Sequence, residues 1–224
     1  MTRVLVTGAG GQLGSAIVAA LAARGATVVA SDLRAADGVM AADVTSDADV
    51  ARLVRDAAPL DGCVNAFGAE GPVGPLEELD LDDVRALLEL NVIAVLRVLR
   101  TLVPHLRERG GGRVVNLASG AGLAGTPLMA PYSASKHAVV GLCRTAAREL
   151  AADGIAVNAL CPGCVDSPMM TRIETAVGGS FAGAVPAGRY ASAAEIADVA
   201  AYLALEAPLY LTGAAIVVDG ALRA

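Results

Sequence analysis

The chain has few aromatic residues and only one lysine. It contains no tryptophan, two phenylalanines and four tyrosines, and its net charge is -6. No cluster of basic residues occurs, which argues against a nucleic-acid partner. No run of ~18 uncharged apolar residues is present either, because Arg97 and Arg100 interrupt the apolar stretch from Val92 to Leu106. The N-terminus lacks the features of a signal peptide, so the sequence predicts a cytoplasmic protein with no membrane partner.

Cysteine is scarce as well. The four cysteines are Cys63, Cys143, Cys161 and Cys164. The Cys161–Cys164 spacing is that of a redox dithiol or of half a zinc site. No second cysteine pair follows, however, and His105 and His137 are the only histidines. The sequence therefore favours a reduced pair in a turn and predicts no metal site.

The 224 residues, 55% of them hydrophobic, suffice for one large domain spanning 1–224. Strand-like and helix-like segments alternate throughout, and most of the strands are apolar. This pattern predicts an α/β fold, a doubly wound parallel sheet with helices on both faces. One long helix is expected over 80–109, with Pro104 as the place for a break. Met169 to Arg189 has weak periodicity and is expected to be a loop beside the site.

A glycine-rich turn, Thr7 to Gly14, follows the first strand and opens the first helix. Glycines allow close approach of a pyrophosphate, and the helix N-terminus attracts its charge. Asp32 ends the next strand, where a carboxylate can bind an adenosine ribose and repel a 2′-phosphate. This arrangement favours NAD over NADP, although Arg34 could reach a phosphate and leaves NADP open. Asp32 as an ordinary turn residue is the simpler alternative.

The single lysine, Lys136, lies four residues after Tyr132, so the two side chains share one face of a predicted helix. Arginine supplies the positive charge at the other basic positions of the chain, which suggests that this position requires a flexible ammonium group. An ammonium near a phenol favours the phenolate and lowers the pKa of the tyrosine. The pair is therefore a candidate acid/base site, and an exposed helical pair is the alternative.

Together these motifs resemble the short-chain dehydrogenase/reductase family, in its compact subgroup, over nearly the whole chain. The segments that carry the resemblance are the Thr7–Gly14 turn, Asp43-Val44, Asn65-Ala66-Phe67-Gly68, Asn91, Ser119, Tyr132 with Lys136, Pro162-Gly163, Thr212-Gly213 and Val218-Asp219-Gly220. The resemblance implies a Rossmann fold and a nicotinamide-dependent oxidoreductase that acts on a carbonyl or a secondary alcohol.

The resemblance also implies residue roles. Tyr132 would be the general acid/base, and Lys136 would lower its pKa and bind the nicotinamide ribose. Ser119 would bind the substrate oxygen, and Asn91 would position a water. The expected cofactor-binding residues are Gly8, Gly11, Gln12, Leu13, Gly14, Asp32, Leu33, Asp43, Val44, Asn65, Ala66, Gly68, Tyr132, Lys136, Pro162, Gly163, Val165 and Ser167.

Three features depart from the family pattern. Gln12 stands where the compact subgroup has a glycine, and the glycines at 8, 11 and 14 match the extended subgroup, whose C-terminal region is larger than this chain provides. Ala66-Phe67 replaces the usual Asn-Ala, which places a ring beside the cofactor groove. Only ten residues separate Asp32 from Asp43. We therefore expect the sheet to be shortened here, without a helix between the second and third strands.

The expected substrate is a small neutral, apolar carbonyl compound or alcohol, because few charged residues occur in the surrounding stretches. Two other functions remain open. One is a catalytically silent dinucleotide-binding sensor or scaffold, and the other is an isomerase or dehydratase that retains NAD. By resemblance, the chain is expected to form a homodimer or homotetramer through its long helices.

Overall fold

A computed structural model describes all residues, 1–224. The seven strands are β1 (Arg3–Thr7), β2 (Thr27–Asp32), β3 (Val39–Ala41), β4 (Gly62–Asn65), β5 (Gly112–Leu117), β6 (Ile155–Pro162) and β7 (Ala215–Val218). The seven α-helices are α1 (Gln12–Ala23), α2 (Asp47–Ala57), α3 (Leu81–Leu88), α4 (Ala94–Glu108), α5 (Ala130–Leu150), α6 (Pro168–Val177) and α7 (Ala193–Leu205). The strand and helix alternation predicted from the sequence is confirmed.

The strands form one parallel sheet in the order β3-β2-β1-β4-β5-β6-β7. Buried side chains of α1 and α7 cover one face, and those of α2, α4 and α5 cover the other. This is the predicted doubly wound Rossmann architecture. The strand order reverses between β1 and β4, which opens a crevice at the carboxyl ends of these strands, where such sheets bind ligands.

The connection from β2 to β3 contains no helix, as predicted from its length. The strand β3 has only three residues and pairs with the end of β2, Asp32 lying opposite Ala41. The chain therefore has to run back only a short distance between them. The short connection leaves Leu33 63% exposed at this edge of the sheet.

The predicted break near Pro104 is wrong. Pro104 lies inside α4, on its exposed side, where water can satisfy the carbonyl that the missing N–H leaves free. The irregularity lies earlier, in a π-helical turn at Glu89–Ile93 that joins α3 to α4. Such turns carry an extra residue and often occur at functional sites. Asn91 is in this turn and is buried.

The expected loop from Met169 to Arg189 is also corrected, because most of its first half is the helix α6. The Ser167 hydroxyl caps the helix by accepting a hydrogen bond from the Met170 N–H at 3.1 Å. Pro168 occupies the first turn, and Gly178 ends the helix with φ +70. These are ordinary start and stop signals, which the Gly- and Ala-rich composition of the segment obscured.

No helix combines the length and apolar character needed to cross a membrane. All four cysteines are free. The sequence placed Cys161 in a turn, but it lies buried within β6, and only Cys164 follows the strand. Burial raises the pKa of both thiols.

Candidate active site

A cavity of about 390 Å³ lies at the carboxyl edge of the sheet, beyond β4, β5 and β6. More than half of its lining residues are hydrophobic. Ten of the residues predicted from the sequence line it, namely Leu13, Ala66, Gly68, Ser119, Tyr132, Lys136, Pro162, Gly163, Val165 and Ser167. The chain therefore brings the predicted reactive group and the end of the predicted nucleotide groove to one place.

The glycine-rich turn is closely packed. A methyl group at Gly14 would lie 2.0 Å from the Gly8 carbonyl oxygen, so α1 can approach the turn only with glycine there. Gly8 has φ +74, and a methyl group there would lie 2.6 Å from the Phe67 nitrogen. Both positions require glycine. Gly11 is the N-cap of α1 and has no side chain to occupy the free N–H groups of the first turn, which leaves them available to an anion.

Gln12 and Asp32 hold this turn to its surroundings. The Gln12 amide nitrogen donates a hydrogen bond to the Asp166 carbonyl at 2.9 Å, which links α1 to the segment after β6. The Asp32 carboxylate accepts hydrogen bonds from the Gly10 N–H at 2.9 Å and the Leu33 N–H at 2.8 Å. Gln12 therefore has a structural partner in the site, and Asp32 is fixed beside the turn.

Asp43 and Val44 lie just beyond β3. The Asp43 carboxylate accepts hydrogen bonds from the Thr45 N–H at 2.8 Å and the Thr45 hydroxyl at 2.7 Å. Val44 is buried, and its carbonyl accepts a hydrogen bond from Arg97 at 3.2 Å. Both residues are thus held at the same edge of the sheet as Asp32, which neighbours them through the β2–β3 pairing.

Asn65 points into the protein and does not line the cavity. Its amide oxygen accepts a hydrogen bond from the Thr7 hydroxyl at 2.8 Å, and its amide nitrogen donates to Asn116 at 2.7 Å. These contacts join β1, β4 and β5 beneath the crevice, and all three side chains are buried. The side chain of Asn65 therefore holds together the strands whose ends form the site.

Ser119, Tyr132 and Lys136 line one part of the cavity. Ser119 follows β5, and its hydroxyl accepts a hydrogen bond from the Ala121 N–H at 3.1 Å. Tyr132 and Lys136 lie one turn apart in α5, as their spacing predicted. The Lys136 ammonium donates to the Leu117 carbonyl at 2.9 Å and lies 5.7 Å from the centre of the Tyr132 ring.

The ionisation of this pair differs from the prediction that Lys136 lowers the pKa of Tyr132. Burial raises the pKa of the Tyr132 phenol, the neighbouring Ser119 hydroxyl lowers it, and the charge of Glu70 raises it again, so the pKa lies above its usual value. Burial also lowers the pKa of Lys136 to about 8. The ammonium donates to the Leu117 carbonyl and lies over the ring face, and burial has the largest effect on the pKa of the phenol.

Asn91 does not line the cavity but holds its wall. Its amide oxygen accepts from the Ala69 N–H at 3.0 Å, and its amide nitrogen donates to the Ala69 carbonyl at 2.9 Å. The same nitrogen donates to the Ser135 hydroxyl at 3.1 Å, and that hydroxyl donates to the Tyr132 carbonyl at 2.7 Å. The π-helical turn thus connects the segment after β4 to the backbone of Tyr132.

Three further charged residues were not assigned a role from the sequence. Arg172 of α6 pairs with both carboxylate oxygens of Glu70, which joins the two segments on either side of the cavity. Burial raises the pKa of Glu70, but the hydrogen bond and charge of Arg172 lower it further, so the pKa lies below its usual value. Arg223, near the C-terminus, also lines the cavity. It follows the Val218-Asp219-Gly220 segment by three residues, but no recognised motif includes it.

The chain is similar to a known protein family and to known dehydrogenases. A family model described as Enoyl-(Acyl carrier protein) reductase matches residues 8–222. The chain is 36% identical to a cis-4-hydroxycyclohexanecarboxylate dehydrogenase of Sinomonas cyclohexanicum, over 96% of the chain and 94% of the relative. It is 33% identical to a cyclohexanol dehydrogenase of an Acinetobacter species, over 97% and 93%.

The fold is also similar to that of a solved dehydrogenase structure. The crystal structure of a putative NAD(P)-dependent gluconate 5-dehydrogenase from Beutenbergia cavernae, with NADP bound at low occupancy, matches with a TM-score of 0.91. The two sequences are 31% identical, and the match covers 99% of this chain and 96% of the other.

Proposed function

Because the chain belongs to the short-chain dehydrogenase/reductase family and is an NAD(P)-dependent oxidoreductase, we propose that it interconverts a cyclic secondary alcohol and the corresponding ketone, with NAD(H) as the preferred cofactor. The observation that carries this proposal is the convergence of Ser119, Tyr132 and Lys136 on one cavity. That cavity adjoins a turn in which Gly8 and Gly14 permit close approach of a phosphate.

The residues present fit a dinucleotide. The turn from Gly8 to Gly14 would hold the pyrophosphate against the N-terminus of α1. Asp32 and Leu33 would hold the adenosine ribose, and Asp43 and Val44 the adenine. Ala66, Gly68 and the Pro162–Ser167 segment would enclose the nicotinamide half, with Asn65 supporting them from within the sheet. When bound, the nicotinamide ring supplies or accepts the hydride.

The chain's own residues supply the proton chemistry. In alcohol oxidation, the Tyr132 phenolate takes the hydroxyl proton, and in ketone reduction the phenol returns it to the oxygen. Ser119 donates its single hydroxyl hydrogen to the substrate oxygen when substrate is bound. Without substrate, the same hydrogen is available to the Tyr132 oxygen and lowers the pKa of the phenol. Lys136 binds the nicotinamide ribose with its ammonium group. Asn91 positions a water near Lys136 and, through Ser135, fixes the backbone of Tyr132.

The substrate class follows from the cavity and from the relatives. The names of the two relatives each specify a six-membered ring that carries an alcohol. Met129, Ile173 and Phe181 give the cavity an apolar wall, which suits such a ring. The test is to compare cyclohexanol with open-chain 3-hexanol as substrates with NAD+. Higher kcat/KM for the ring supports the proposal, and preference for the open chain contradicts it.

Two other functions are weaker. A silent scaffold would retain the nucleotide turn without the reactive group, but Ser119, Tyr132 and Lys136 are all present and lie together. An isomerase or dehydratase would copurify with NAD and release no reduced cofactor during turnover.

We further infer a homodimer or homotetramer. Ile93, the last residue of the π-helical turn, and Leu96 of α4 are 42% and 46% exposed. They offer an apolar surface for contact between subunits.

Cofactor preference provides the first prediction. Wild-type protein is expected to bind NADH more tightly than NADPH, because the Asp32 carboxylate accepts from ribose hydroxyls and repels a 2′-phosphate. Asp32→Ser should lower NADH affinity roughly 10-fold, the usual effect of losing a charged hydrogen bond, and should raise NADPH affinity. Calorimetric titration with both cofactors measures this.

The exposed Arg34, two residues further on, is the natural control for that experiment. Arg34→Gln should weaken NADPH binding to the Asp32→Ser variant and leave the NADH preference of the wild type in place. Tighter binding of NADPH than NADH by the wild type would contradict the role of Asp32.

The second prediction concerns pH. Since the charge of Glu70 raises the pKa of Tyr132, Glu70→Gln should lower that pKa. Alcohol oxidation requires the phenolate, so the rising limb of the kcat/KM profile should move to lower pH. Glu77→Gln, an exposed carboxylate outside the cavity, is the matched control. A shift to higher pH, or an equal shift in both variants, would show that Glu70 does not act on Tyr132.

A further inference from the structure

Arg223 is a half-buried cation whose side chain forms no ion pair in the protein. It lines the cavity, and its Nε atom is buried without a hydrogen-bond acceptor. The guanidinium group lies against Gly120, where a methyl group would come within 2.8 Å of Nε. Gly120 directly follows Ser119, so the cation lies one residue from the proposed holder of the reacting oxygen.

A guanidinium N–H that is buried without an acceptor is costly, because its hydrogen bond to water is lost and no protein group replaces it. The only other charged residue that lines the cavity is Lys136, which is also a cation. No carboxylate is among the lining residues. The lining of the cavity therefore carries two cations and no anion.

Asp219, four residues before Arg223, is a candidate for an internal partner, since both residues line a second pocket. Its Oδ2 atom is also buried without a hydrogen-bond partner, yet the two side chains do not form one of the ion pairs of the protein. The side chain of Asp219 is packed against Gly163, where a methyl group would lie 2.6 Å from its Cβ atom. Its position is thus set by backbone packing, and it leaves Arg223 free for a ligand.

We propose that Arg223 binds an anionic group, a carboxylate, on the substrate of this cavity. The inference rests on the proposed function and specifies its substrate as a ring alcohol or ketone that carries a carboxylate away from the reacting carbon. The planar guanidinium can donate two parallel hydrogen bonds to a carboxylate, which gives both charge balance and orientation. The neutral substrate expected from the sequence is revised, because Arg223 lay outside the stretches from which that expectation came.

The experiment compares 4-hydroxycyclohexane-1-carboxylate with cyclohexanol. For wild-type protein, kcat/KM should be higher for the acid. Arg223→Gln should lower the ratio of the two kcat/KM values roughly 10- to 100-fold, mainly through KM for the acid, since a charge-assisted hydrogen bond is lost. Arg223→Lys should restore part of the ratio. Arg55→Gln, an exposed arginine in α2, should leave the ratio at the wild-type value.

A binding measurement separates this inference from the proposed function. Cyclohexanecarboxylate, which has no alcohol, should bind the protein in calorimetry with NADH present, and Arg223→Gln should weaken that binding. If it binds through Arg223 but neither alcohol is oxidised, the anion site stands and the proposed function fails. If cyclohexanol is oxidised and the carboxylate neither binds nor is preferred, the inference fails alone. Weaker NADH binding by Arg223→Gln with an unchanged ratio would assign the cation to the cofactor and also overturn it.

Discussion

Replacing Tyr132 with phenylalanine is expected to lower kcat about 10³- to 10⁴-fold, the upper part of the range for general acid/base catalysis. The change removes one oxygen atom from a side chain that lines the cavity beside Ser119. The ring remains to pack, so NADH affinity and the melting temperature should stay close to those of the wild type. Steady-state kinetics together with calorimetric titration of NADH measure both effects.

Tyr210→Phe is the matched control, since Tyr210 is fully exposed and does not line the cavity. It should keep wild-type kcat. Near-wild-type turnover in Tyr132→Phe would remove this residue from the chemistry. Loss of NADH binding in the same variant would instead indicate that the phenol serves the cofactor.

Replacing Lys136 with methionine should lower kcat/KM by about 10²- to 10⁴-fold, the range spanned by groups that assist proton transfer, and should weaken NADH binding. The same change should alter stability in a way that depends on pH. Burial holds the pKa of Lys136 at about 8, whereas an unfolded lysine titrates near ~10.4. Between these values the unfolded chain binds a proton that the folded chain does not, so stability contributed by this group rises with pH.

The difference in free energy of unfolding, wild type minus Lys136→Met, should therefore rise by about 3 kcal/mol between pH 8 and pH ~10.4, at about 1.4 kcal/mol per pKa unit. Below pH 8 both states carry the proton, and the difference should be constant. Denaturant unfolding of both proteins across this range measures the gain, and the other ionisable groups cancel in the comparison. A difference that stays constant up to pH ~10.4 would contradict the lowered pKa of Lys136.

The amino-acid sequence predicted the sheet, the parallel direction of its strands and the missing helix, because these depend on local patterns. Apolar strands alternating with helices specify the first two, and the short interval between Asp32 and Asp43 specifies the third. The last helix, Ala193–Leu205, begins at a reciprocal cap that Ser192 and Glu195 form within one turn of the chain. A signal that lies within one turn of the chain can be recognised in the sequence without knowledge of the fold.

The remaining features depend on contacts between distant residues. The π-helical turn at Asn91 is stabilised by Ala69 and Ser135, which lie 22 and 44 residues away. The raised pKa of Tyr132 depends on burial and on Glu70, 62 positions earlier in the chain. Arg223 reaches the cavity because β7 runs parallel to β6 and ends at the carboxyl edge of the sheet, five residues before Arg223. None of these features has a periodicity or a motif from which it could be predicted.

The central claim is hydride transfer between a ring carbon and nicotinamide, and isotopic labelling tests it most directly. The protein is incubated with NAD+ and with 4-hydroxycyclohexane-1-carboxylate or cyclohexanol, each carrying deuterium at the carbinol carbon. The reduced cofactor is then examined by mass spectrometry. The account predicts that one deuterium appears in NADH and that a ketone forms in equal amount. Formation of no labelled NADH from either alcohol, while NAD+ still binds, would contradict it.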